Sequence, residues 1–157
     1  MEIGIARLAA VVWVAYFVLS MSGDRLQILP LKLIANVIYF VVAVVLYRYF
    51  ADGDPVTALA LLPLAALGCV LQSIGMIQGD RDIQRIAFVP FGLFLATIGV
   101  LLLRAGVAPQ LLGYGLVGAG IGGLVFLIPN APAAVTGIGL LAMIPEGGLV
   151  LWLLLAA

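Results

Sequence analysis

The chain reads as an all-α integral membrane protein, a bundle of six transmembrane helices with short loops, five spans plus a re-entrant segment being the alternative. Three observations predict this. First, 66% of its 157 residues are hydrophobic and only 9% are charged, against about 25% charged in soluble domains. Second, the mean hydropathy is +1.33. Third, the apolar residues fall into runs of the roughly 20 residues that a helix needs to cross a bilayer. Residues 1–157 are expected to form one transmembrane domain, with nothing left over for a soluble one.

The first span is placed at about Ile3–Met21. Arg7, the run after it and Ser20 and Ser22 imitate a secretory leader, but the segment is read as a span. The second, Pro30–Phe50, opens on a proline, which suits the first turn because its missing N–H would have no partner there. The third, Pro55–Gln78, follows Asp54, a capping acid. The fourth, Ile83–Arg104, has Asp82 as its expected cap and Gly106 as its stop. The fifth and sixth, Pro109–Ile128 and Pro132–Ala156, again open on proline. Pro63 and Pro90 lie inside spans, where kinks are expected.

Charge excludes several functions. Seven basic residues balance seven acidic ones, so no basic surface exists for nucleic acid or a polybasic lipid contact. His is absent and Cys69 is the lone cysteine. That removes His-ligated haem, His-based zinc and internal disulfides; no cofactor and no metal site is expected. Asp52-Gly53-Asp54 and Asp80-Arg81-Asp82 look like paired metal ligands, but the third span separates them, and helix caps and salt bridges explain them better. Three basic residues fall on the face bearing the termini (side A) and four on the other (side B), which leaves orientation open.

One charge stands inside an apolar run. Glu146, in Pro145-Glu146-Gly147-Gly148, lies in a stretch from Ala133 to Ala157 with no other charge. A carboxylate at the bilayer centre costs roughly 2.5–3.5 kcal/mol, and the Pro and Gly residues predict a broken helix of the kind that lines binding sites. At about 1.5 Å per residue, Glu146 sits roughly 16 Å from the side A end of its helix. Trp13, Tyr16 and Tyr39 reach the same depth; Asn36 and Gln72 lie nearer side B. These six are the candidate ligand-binding residues. With no Arg or Lys at its depth, Glu146 is expected to be neutral and to donate to a Tyr, a Gln or a carbonyl.

Helical spacing also aligns small residues, including Gly68, Gln72 and Gly75, or Gly92, Ala96 and Gly99, as in close helix packing. Gly113-Tyr114-Gly115-Leu116-Val117-Gly118 matches a dinucleotide fingerprint but lacks the strand and the later acid that it needs. Gly118 and Gly122 are spaced as GxxxG, a contact that would form a homo-oligomer.

Several blocks carry a resemblance. Ala6-Arg7-Leu8-Ala9, the runs Phe91-Gly92-Leu93 and Gly99 to Gly106, Pro109 to Gly113, and the terminal Glu146-Gly147-Gly148-Leu149-Val150-Leu151-Trp152-Leu153-Leu154 resemble a family of bacterial multi-span membrane proteins known only as a domain of unknown function. The resemblance implies a multi-pass protein of the bacterial inner membrane, in which Glu146 belongs to a family pattern. It implies no catalytic residue.

Composition and spacing thus lead to a protein that binds or permeates a small lipophilic or weakly polar ligand around Glu146, in contact with membrane lipid. A structural or accessory subunit is the alternative. An intramembrane enzyme comes third, because no nucleophile–base pair or carboxylate pair shares one depth.

Overall fold

The computed structural model describes residues 3–128, 141 and 143–155. These form an all-α bundle with no strand among the described residues. Its helices are α1 (Ile3–Leu26), α2 (Leu29–Phe50), α3 (Pro55–Leu59), α4 (Leu61–Gln78), α5 (Arg81–Ala105) and α6 (Gln110–Gly122). A 3-10 turn follows over Gly123–Leu127, and α7 covers Met143–Leu155. Five segments, with α3 and α4 forming one and α6 running into the 3-10 turn, are long and apolar enough to cross a membrane. That length and composition suggest a multi-pass membrane protein. The described part of α7 has 13 residues, about 20 Å of helix. The segment that would complete its span lies outside the described residues.

Neighbouring helices close a ring: α1 packs on α2, α2 on α4, α4 on α5, α5 on α6, and α7 joins α6 back to α1. Helix α5 is the most enclosed, with 50% of its apolar window buried against 22–33% for the other spans. Trp13, Leu46, Leu61, Phe94, Ile98, Leu116, Leu149 and Leu153 are fully buried in the centre. Val11, Val18, Val37, Leu67 and Leu111 face outward, as expected where the surrounding solvent is lipid tails.

Local chemistry sets the boundaries. Asp54 caps α3 by accepting from the Thr57 amide at 3.0 Å, as expected. The cap of α5 is Asp80 rather than Asp82: its carboxylate accepts from the amides of Asp82 and Ile83 at 2.8 and 3.1 Å. Two residues earlier in the chain, Asp80 takes the extended conformation of a cap, whereas Asp82 already lies within the first turn. Pro63 does more than kink its span. It has no N–H to donate to the carbonyl four residues back, and the helix is interrupted at Ala60, between α3 and α4. Pro90, by contrast, lies within a continuous α5. Gly79 and Gly106 end α4 and α5 with φ of 68° and 63°, a left-handed conformation open to Gly.

Glycines decide how closely α5 and α6 approach. A Cβ on Gly99 would lie 2.6 Å from the Gly113 carbonyl oxygen, and one on Gly92 would lie 2.7 Å from that of Gly120. Backbone meets backbone here, so no side chain can move aside. On α4, Gly68 receives the Phe91 ring and Gly75 receives Gln84. Both belong to the small-residue stripe read from spacing, and both face α5.

Candidate functional site

Helix α7 brings Glu146 to the inner side of the ring, against α1. The indole Nε1–H of Trp13 donates to Glu146 Oε1 at 2.9 Å. Two expectations are revised. The carboxyl accepts from an indole, where donation to Tyr, Gln or a carbonyl was expected. The helix also runs unbroken through Pro145, Glu146, Gly147 and Gly148. Because a backbone without Cβ loses more conformational entropy on ordering, a Gly pair weakens a helix by about 1 kcal/mol per residue, which packing on α1 and α6 overcomes.

Trp13 is fully buried and sits in an aromatic cluster. Its ring meets Tyr39 edge-on at 6.2 Å and Phe94 at 6.3 Å. Tyr39 in turn meets Tyr16 at 4.8 Å, Phe91 at 4.9 Å and Phe94 at 5.3 Å. Such edge-to-face pairs are worth about 0.5–1.5 kcal/mol beyond the area they bury, and they hold the indole in place. Four of the six candidate residues, Glu146, Trp13, Tyr16 and Tyr39, therefore lie in one cluster with α5 as its far wall. Sequence reasoning missed Phe91 and Phe94. Their spacing from each other and from Ile98, three and four residues along α5, was the available signal.

Asn36 and Gln72 go elsewhere. Asn36 is buried and its Nδ2 donates to Ser73 Oγ at 2.9 Å, tying α2 to α4. Cys69 Sγ approaches the Asn36 carbonyl oxygen at 3.1 Å. Asn36, Cys69 and Ser73 line a groove of about 440 Å³ between α2 and α4, with Val37, Phe40 and Val70 around them. Gln72 is half-buried and its Oε1 is enclosed without a hydrogen-bond partner.

Ion pairs among the described residues lie toward the helix ends: Lys32 to Asp24 at 2.9 Å, Arg85 to Asp82 at 3.6 Å and Arg104 to Asp54 at 2.6 Å. None includes Glu146. On side B, Arg85 also reaches the Ile128 carbonyl at 2.8 Å, so several of its charges form local ties; Asn130, grouped with them from sequence, lies outside the described residues. No group of three or more metal-ligating acids or cysteines occurs among the described residues. A second groove, of about 560 Å³, runs between α6 and α7 and is walled by Leu112, Gly115, Pro145, Gly148 and Trp152. Pro145 thus faces outward to the groove while Glu146, the next residue, bonds inward.

No family model, curated protein or solved structure matches this chain.

Proposed function

We propose that the protein binds or permeates a small lipophilic or weakly polar ligand in the bacterial inner membrane, with Glu146 as the polar centre of the site. The observation that supports this most is the bond from Trp13 to Glu146 inside an aromatic cluster. A carboxyl offers about four acceptor positions, and the indole fills one. Aromatic walls with a few placed polar groups are the usual lining of small-molecule sites. The α6–α7 groove offers an approach from the lipid, since Pro145 and Gly148 on its wall flank the acid in sequence.

The test uses 4-nitrobenzyl alcohol, a small lipophilic hydrogen-bond donor that quenches indole emission, with Trp13 fluorescence read in a Trp152→Phe background. Saturable quenching is expected, and Glu146→Gln should weaken it and remove its pH dependence. Equal affinity and an equal pH profile in the two proteins would sink the reading.

A second reading has its own support. Gly118 is exposed, and a Cβ built on it meets nothing within 4 Å. Tyr114 and Ile121, 63% and 60% exposed, lie three or four residues away on the same face. In this reading the protein is a structural subunit that self-associates through Gly118 and Gly122, which lets two α6 backbones approach. Gly118→Leu should then convert the oligomer to a monomer by light scattering in detergent, with the helical circular dichroism retained. An oligomer unchanged by the substitution counts against it.

A further inference from the structure

We propose a second binding site, for an organic monocation such as an aryl-alkyl ammonium, in the cavity where α2 and α5 end on side A. The cavity measures about 520 Å³, within the range of small-molecule sites. Its lining includes Tyr49 and Phe50 from α2, Asp52 and Asp54 from the following turn, and Leu101 and Arg104 from α5. It stands independently of the Glu146 reading.

The sign of the ligand follows from how the charges are committed. Arg104 Nη1 donates to Asp54 Oδ2 at 2.6 Å and to Thr57 Oγ1 at 3.0 Å. Asp54 in turn caps α3 through its other oxygen. The Thr57 amide and hydroxyl, and then Arg104, hold the Asp54 carboxyl below the usual carboxylate range, so this pair stays ionised and mutually compensated at neutral pH. Asp52 is exposed and has no ion pair or hydrogen bond among the described residues. One negative charge therefore remains on the cavity wall. Arg48, on the last turn of α2, is exposed and is not part of that wall.

Two further features favour a cation. Helices α2 and α5 both terminate at the cavity, at Phe50 and Ala105. The C-terminal end of a helix carries about half a negative charge, felt within its last turn. The inner wall is aromatic as well: Tyr49 and Phe50 meet edge-on at 4.9 Å, and aromatic rings next to an acid suit an ammonium group that keeps an apolar part. An anion would meet Asp52 and two carbonyl-bearing helix ends, with Arg104, the cation of the cavity wall, already paired.

The experiment is equilibrium dialysis of benzyltrimethylammonium against the full chain in neutral detergent. Benzyl alcohol and benzenesulfonate serve as the neutral and anionic controls. Saturable binding of the cation is expected, well above either control, and Asp52→Asn should weaken it about twofold to fivefold, the range of an exposed charge pair. Asp52 is a surface residue, so the variant should fold, which circular dichroism checks. Glu146→Gln should leave cation binding unchanged. Equal binding by Asp52→Asn overturns the proposal. So does benzenesulfonate binding as tightly as the cation, which would make Arg104 the recognition group. Loss of cation binding in Glu146→Gln would move the ligand to the interior carboxyl and also overturn it.

Discussion

Replacing Trp13 by Ala should destabilise the bundle by about 3–5 kcal/mol, the cost of emptying a large buried aromatic site. Trp13 is fully buried and touches Tyr39, Phe94 and Glu146 at once. Trp13→Phe keeps one aromatic ring while removing the N–H that Glu146 accepts and the rest of the indole. Interhelical hydrogen bonds in membranes average about 0.6 kcal/mol and the lost ring volume adds about 1 kcal/mol or more, so its cost should be about 2 kcal/mol, below that of the Ala variant. Packing therefore dominates at this position, and the hydrogen bond sets which way the acid points. Denaturation of the detergent-solubilised protein by titration with sodium dodecyl sulfate measures both variants. Trp13→Phe together with Glu146→Leu should regain the hydrogen-bond share of the Phe variant's loss, since removing both partners leaves no buried acceptor unpaired. A Phe variant as unstable as the Ala variant would refute this ordering.

Gly120→Val should be the most damaging change on α6. A Cβ there would collide with the Gly92 carbonyl oxygen and lie 2.5 Å from the Ala96 Cβ and 2.8 Å from the Ala96 nitrogen. Overpacking commonly costs about 1–3 kcal/mol. The obstacle here is backbone, so the loss should reach the top of that range or abolish folding. Gly120→Ala, measured in the same titration, gives a graded value if the Val variant is not recovered. The control is Gly147→Ala, where a Cβ meets nothing within 4 Å. Relief from glycine's helix penalty should make it neutral or stabilising by up to about 1 kcal/mol. Equal effects of the two alanine substitutions would show that α5 and α6 do not approach as described.

The glycines show how far periodicity reaches. Spacing aligned Gly92 with Gly99 and Gly68 with Gly75, and both pairs do face neighbouring helices. Spacing also singled out Gly118 and Gly122 in a run of six glycines from 113 to 123. Within the chain, however, it is Gly113, Gly120 and Gly123 that meet α5, while Gly118 points away. In a helix that is small and apolar all round, several faces satisfy the same pattern, and only the position of α5 selects one.

The candidate site divides the same way. A depth estimate placed Glu146, Trp13, Tyr16 and Tyr39 at one level, and they meet. Asn36 lies three residues from Tyr39 on the same helix, yet its side chain turns to Ser73 because α4 packs there. The partner of Glu146 could not be read from depth, since three aromatic residues share it and the rotation of each helix chooses among them. Phe91 and Phe94 went unremarked because an aromatic residue in an apolar span carries no signal until a polar neighbour is placed beside it.

By itself, the amino-acid sequence determined the all-α class, the positions of the apolar helices and the caps at Asp54 and Gly106. It also determined that an acid stands in the last apolar run. These follow from local or summed properties: transfer free energy over about 20 residues, the φ that glycine permits, and a carboxylate next to free amides. The tertiary structure alone decided that Trp13 holds that acid, that α7 continues through its glycines, and that α5 is the most enclosed helix of the ring. Each of these depends on which faces meet, and contact between segments more than a hundred residues apart leaves no local trace in the chain.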